Sequence, residues 1–228
     1  MFIGHFAMGF AAKRYAPRAS LAVLLSAPLF LDMLWPVFVL VGWEQVRIDP
    51  GNTRFTPLDF TCYPWSHSLL MSVAWATAFA LTYQAITRYW PGTTAIWIGV
   101  ASHWVLDWAV HRADMPLYPG GPRFGLGLWN SVAATMIVEI GMLAVGVWLY
   151  ARATRSRNAV GRYLFAAYVG LLLALYVTDR FSPLPPNPEA VAWTGVALSV
   201  ILIPWAWWFD RNRVSALPLE LCTLPPVS

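Results

Sequence analysis

Six stretches of this chain are apolar over about the length a helix needs to cross hydrocarbon: residues 21–43, 65–88, 93–112, 129–151, 163–178 and 191–209. A bilayer core of about 30 Å takes about 20 residues at 1.5 Å each, and the fifth stretch falls short of that. Hydrophobic residues make up 58% of the chain and charged residues 11%. A soluble domain carries about 25% charged residues and needs them to cover its surface, so water-soluble folds are excluded. The expected architecture is all-α: a polytopic transmembrane helical bundle of about six spans, occupying residues 1–209 as one domain. Residues 2–12 are too few to cross and read as a half-inserted helix, which is tolerated at membrane depth only when protein surrounds it. Residues 210–228, with Pro218, Pro225 and Pro226, read as a disordered cytoplasmic tail.

The fifteen basic residues are fourteen Arg and one Lys, and most lie between the apolar stretches. If the connection from Lys13 to Arg18 is cytoplasmic, ten of them fall inside and five outside, the sense of the positive-inside rule. The net charge of +4 therefore reports topology and removes nucleic acid as a partner. The expected localisation is the inner membrane, multi-pass, with the long connections 44–64 and 113–128 facing the periplasm or exterior. Both connections hold turn-rich runs, such as Pro119-Gly120-Gly121-Pro122, and are long enough to rim a site. Trp43, Trp65, Trp90, Trp129, Trp148 and Trp205 fall at span ends, as in an aromatic belt. Cys62 and Cys222 fall on opposite sides and have no metal-type spacing.

Hydropathy does not account for three acids within the spans, Asp32, Asp107 and Glu139. Each costs about 2.5–3.5 kcal/mol at a helix centre, and the spans hold almost no cation to offset them. His103, Asp107 and His111 recur every four residues and share one helix face. At 1.5 Å per residue, Asp107, His103 and Glu139 lie roughly 8, 13 and 15 Å below the outer surface. On the same count His5 and Asp32 lie about 12 and 17 Å above the inner one, so the five meet near the midplane. His67 and His111 sit above them, toward the outer mouth. A lone His or Asp in a span is commonly interhelical glue or a proton relay, but this many at matched depth converge on one outward-opening cavity.

Imidazoles and carboxylates gathered this way form a metal-ligand set. The candidate ligands are His5, Asp32, His67, His103, Asp107, His111 and Glu139, suited to zinc and also to manganese or iron. A divalent cation would supply the positive charge that the buried acids lack. It would also polarise an acyl or phosphoryl oxygen and lower the pKa of water to about 7.

Gly4-His5, Asp32 after an apolar run, Ser66-His67-Ser68-Leu69-Leu70, and Ser102-His103 followed by Asp107 occur in that order. Over residues 1–139 this order resembles the bacterial membrane-bound metal-dependent hydrolase family of small multi-pass proteins. More distantly it is similar to zinc-dependent phospholipase C, an all-helical phosphodiesterase. The resemblance implies that Asp32, His67, His103 and Asp107 hold one metal and that Asp107 bridges to a second ion also held by His5. It makes Glu139 an acidic ligand or base. Two features depart from the phospholipase pattern. Thr135 stands where a His precedes that Glu by one turn, which lowers the expectation to one or two ions. The N-terminal residue that serves as a ligand there has no expected counterpart, because Met1 begins a membrane segment.

These readings predict a membrane-embedded hydrolase acting on an ester or phosphoester of a membrane lipid or lipid-linked substrate. Asp107 and Glu139 would be catalytic, and Arg112 and Arg123 of the outer connection would hold a phosphate. Two other classes compete with it. One is a proton- or metal-ion transporter using the same polar column, and the other is a non-catalytic assembly protein whose polar network joins helices.

Overall fold

In the computed structural model, which describes residues 1–216, eight α-helices account for most of the chain. They are α1 (Ile3–Tyr15), α2 (Leu21–Leu40), α3 (Pro64–His67), α4 (Leu69–Thr87), α5 (Trp90–Val110), α6 (Val132–Ala153), α7 (Ala159–Thr178) and α8 (Pro188–Arg211). Ser20, Ser68, Ser131, Asn158 and Asn187 start α2, α4, α6, α7 and α8. Each side chain accepts a backbone N–H from the first turn, a donor the helix itself cannot satisfy.

These caps explain where the helices depart from hydropathy. The expected span 65–88 is broken: Pro64–His67 forms a separate turn, and Ser68, in an extended conformation, restarts the chain as α4. The fifth expected span, short when counted from residue 163, begins at Ala159 because Asn158 caps it. Five helices, α2, α4, α6, α7 and α8, are long and apolar enough to cross a membrane. The sixth expected span corresponds to α5, 21 residues long, whose hydropathy is diluted by polar residues including Ser102, His103 and Asp107.

The short α1 is the axis about which the longer helices pack. Ile3, His5, Phe6 and Phe10 are fully or almost fully buried, so protein encloses this segment, as a half-length helix at membrane depth requires. Glycine sets its closeness to both neighbours. A β-carbon at Gly146 of α6 would stand 2.4 Å from the Ala7 carbonyl oxygen, and one at Gly9 would stand 2.7 Å from that of Leu24 in α2. Backbone therefore meets backbone on either side of α1, the small-residue contact typical of helices in lipid. Beyond it, Phe10, Tyr150, Phe165, Tyr168 and Phe209 form an aromatic cluster of edge-to-face and tilted contacts joining α1 to α6, α7 and α8.

Among the described residues three short antiparallel strand pairs close the ends. Strands β1 (Gln45–Ile48) and β2 (Leu58–Cys62) pair across the 44–64 connection, and β3 (Met115–Pro116) and β4 (Arg123–Phe124) pair across the 113–128 connection. At the opposite end, β5 (Thr154–Ser156) pairs with β6 (Arg213–Ser215). The expected disordered tail is thus ordered through its first residues; Pro218, Cys222, Pro225 and Pro226 lie outside the described residues. Lys13, expected in a cytoplasmic connection, is buried. Its ammonium donates to Asp210 Oδ2 at 2.7 Å and to the Ala19 carbonyl at 2.8 Å, while Tyr150 donates to Asp210 Oδ1 at 2.8 Å. This pair ties the end of α8 to α1 and leaves the buried ammonium partnered. Trp43, Trp65, Trp90 and Trp148 are exposed as belt residues would be, but Trp129 is buried, its ring 4.2 Å from that of His111.

Candidate metal centre

Four elements bring the polar side chains to one point. His5 projects from the first turn of α1, Asp32 from α2 between Pro28 and Pro36, and His67 from the end of α3. His103 and Asp107 stand one turn apart on α5. Asp107 is the hub. Its Oδ1 lies 3.0 Å from His5 Nε2 and its Oδ2 3.0 Å from His103 Nε2. His67 Nε2 lies 3.7 Å from Asp107 Oδ2, 3.5 Å from Asp32 Oδ1 and 3.1 Å from His103 Nε2. The rings of His5 and His103 stack in parallel with centroids 3.9 Å apart. Two triads result, His5–His103–Asp107 and Asp32–His67–His103, each with its donor atoms within 4.8 Å of one another.

The far sides of the rings determine what the near sides can do. His103 Nδ1 lies 2.7 Å from the Pro28 carbonyl oxygen, which can only accept, so the proton is on Nδ1. Ser66 donates its hydroxyl to Glu44 Oε2 at 2.5 Å and so accepts from His67 Nδ1 at 2.6 Å. Glu44 is itself fixed by the backbone N–H groups of Trp65 and Ser66, both 2.8 Å from Oε1. His111 Nδ1 donates to Asp114 Oδ1 at 3.0 Å. Tyr63 donates to the same oxygen at 3.0 Å; burial, and then Asp114, push its phenol well above the usual tyrosine range, so it keeps its proton. In each neutral ring Nε2 is then a lone pair, and those of His67 and His103 face each other across 3.1 Å with no protein donor between them. Such an arrangement calls for a cation or a shared proton. Among the described residues His5 Nδ1 has no hydrogen-bond partner, but imidazoles held from behind by the Pro28 carbonyl (His103) and by Ser66 backed by Glu44 (His67), and gathered with carboxylates in front, fit a divalent metal.

His5, Asp32, His67, His103 and Asp107 are therefore brought together. His111 stands at the margin, its Nε2 4.0 Å from Asp107 Oδ2. Glu139 is fully buried but turns toward α1, where Oε2 accepts from the backbone N–H groups of Phe2 at 2.9 Å and Gly4 at 3.3 Å. Its Oε1 has no hydrogen-bond partner among the described residues. Arg112 is shared between Asp59 and Asp114, and Arg123 donates to the Thr61 carbonyl. Sequence reasoning assigned no role at the site to the Met1 α-amino group, which is buried and lies 2.5 Å from Asp107 Oδ1. It also missed Glu44, Tyr63, Asp114 and the Pro28 carbonyl. The adjacency of Ser66 to His67 and the three-residue step from His111 to Asp114 were the available signals. Asp32 alone keeps an open surface, with 39% of its side chain accessible against 2% for Asp107, so the cluster is reached from the α2 side.

A family model described as YdjM inner membrane protein matches residues 64–182, a little over half of the chain. The match runs from α3 through α7 and so includes His67, His103, Asp107 and Glu139, while His5, Asp32 and α8 lie outside it. No curated protein and no solved structure matches the chain.

Proposed function

Since this chain belongs to the YdjM inner membrane protein family, we propose that it is a metal-dependent hydrolase embedded in the inner membrane, acting on an ester or phosphoester of a lipid-like substrate. The observation that carries this reading is the presentation of three Nε2 atoms and two carboxylates at one point, with Asp32 left open. Asp32, His67, His103 and Asp107 would hold one ion. His103 has a single free nitrogen, so a second ion would have to rely on His5 and on Asp107 as a bridge. A divalent cation bound there supplies Lewis acidity toward an acyl or phosphoryl oxygen.

The chain's own groups do the positioning. Glu44 and Ser66 set the His67 ring, the Pro28 carbonyl sets His103, and Asp114 sets His111. Glu139, with one oxygen unpartnered, is a candidate to accept a proton only if it turns from α1; as placed, it anchors the start of that helix. For a phosphate, Arg123 is freer than Arg112, whose charge two carboxylates already meet. The transport alternative needs a continuous polar path. Between the cluster and the Lys13–Asp210 pair, however, lie Phe6, Phe10 and Tyr168.

Elemental analysis of purified protein tests the proposal. One or two zinc, manganese or iron ions per chain are expected, with loss of both metal and lipid hydrolysis in a folded Asp107→Asn variant. An amide keeps the shape but not the charge. Wild-type protein that binds none of these metals when supplied with them would overturn it.

A further inference from the structure

Asp32 forms part of the wall of a cleft of about 290 Å³ between α2 and α8, lined mostly by apolar side chains such as Phe6, Leu29, Trp35, Leu198 and Leu202, with Thr194 and Ser199 on the α8 side. The two helices touch where a β-carbon at Gly195 would stand 2.8 Å from the Pro36 ring, and the cleft opens around that contact. Along α8 its lining runs from Val191 to Ile203, about 18 Å at the helical rise. Toward the hairpin end it shares Leu58, Val191 and Thr194 with a wider cavity of about 560 Å³ that carries Arg54, Asp179 and Arg180. A long apolar slot that meets the site at one carboxylate and widens into a charged mouth has the polarity of an amphiphile.

We infer that this α2–α8 cleft receives one acyl chain of the substrate lipid and places the ester end of that chain at Asp32. The inference rests on the hydrolase reading and names its substrate class: a lipid recognised by a single hydrocarbon tail. A head group alone would make no contact with these apolar walls.

Photo-crosslinking tests it apart from catalysis. The full-length protein in detergent is illuminated with phosphatidylglycerol carrying a diazirine on one acyl chain, and labelled residues are mapped by mass spectrometry. Labelling is expected on Leu29, Leu198 and Leu202. It should fall at least fivefold in Leu198→Trp and in Leu29→Trp, which fill the slot from either wall. It should not fall in Val200→Trp, whose site on α8 is exposed and lies outside the cleft. Asp107→Asn should still label. Crosslinks spread evenly over outward-facing positions such as Val200 and Ile201, or equal labelling of Leu198→Trp and Val200→Trp, would overturn the inference. Cleft labelling with no hydrolysis by wild type would leave the tail site standing and overturn the hydrolase; hydrolysis with scattered labelling would do the reverse.

Discussion

Ser66 touches no other member of the cluster than His67, yet its removal should be felt at the metal. In Ser66→Ala the His67 Nδ1–H loses an acceptor at 2.6 Å, and Glu44 loses one of three donors while keeping the two backbone N–H groups at 2.8 Å. His67 is only 3% exposed, so water cannot readily replace the hydroxyl. A buried donor left unsatisfied costs about 1–3 kcal/mol. Loss of such an orienting partner typically lowers metal affinity 10–100-fold, about 1.4–2.8 kcal/mol, so the two routes to the magnitude agree. The assay is zinc competition against a chromogenic chelator, with circular dichroism confirming equal helix content. Ser66→Thr keeps the hydroxyl and should return affinity to within a few-fold of wild type. Ser102→Ala is the control: it also precedes a cluster histidine, but its hydroxyl donates only to the Gly99 carbonyl, and affinity should not change. A zinc Kd for Ser66→Ala within twofold of wild type would refute the reasoning that the ring is set from behind.

Gly146→Val places a side chain 2.4 Å from the Ala7 carbonyl oxygen and must push α1 from α6. Overpacking of this kind costs about 1–3 kcal/mol, so the variant should melt several degrees below wild type and bind metal more weakly, because His5 rides on the same helix. A thermal melt matching wild type would show that the two backbones are not in contact. For topology, cysteines placed at the exposed Tyr118 and Arg155, in a background lacking Cys62 and Cys222, should label from opposite sides of the membrane, Tyr118 from the periplasm. The two positions lie beyond opposite ends of α6, whose 22 residues rise about 33 Å. Labelling of both from one side would contradict the basic-residue bias.

The membrane class and the helical bundle were legible in the sequence because hydropathy and helix rise are local quantities that need no partner. The same holds for the depth of Asp32 in its span and for the common face of His103 and Asp107, which the four-residue step alone dictates. What the step could not say is which neighbour that face meets. Only the packed structure turns the His5 ring onto His103, brings the Met1 amine to Asp107 and spends Glu139 on the start of α1 instead of the cluster. Glu44 and Asp114 looked like ordinary loop acids because their partners are a neighbouring hydroxyl and a helix-capping imidazole, and a side chain's direction in a loop leaves no periodic trace. The β hairpins were hidden in the same way. The break at Ser68 was not: a serine before an apolar run is a cap signal, but it lay inside a stretch that hydropathy read as continuous. The cleft depends on α2 and α8, more than 140 residues apart, packing together at contacts such as Gly195 with Pro36 and leaving a gap beside them. A contact between distant positions, and a gap beside it, is a property of the fold alone.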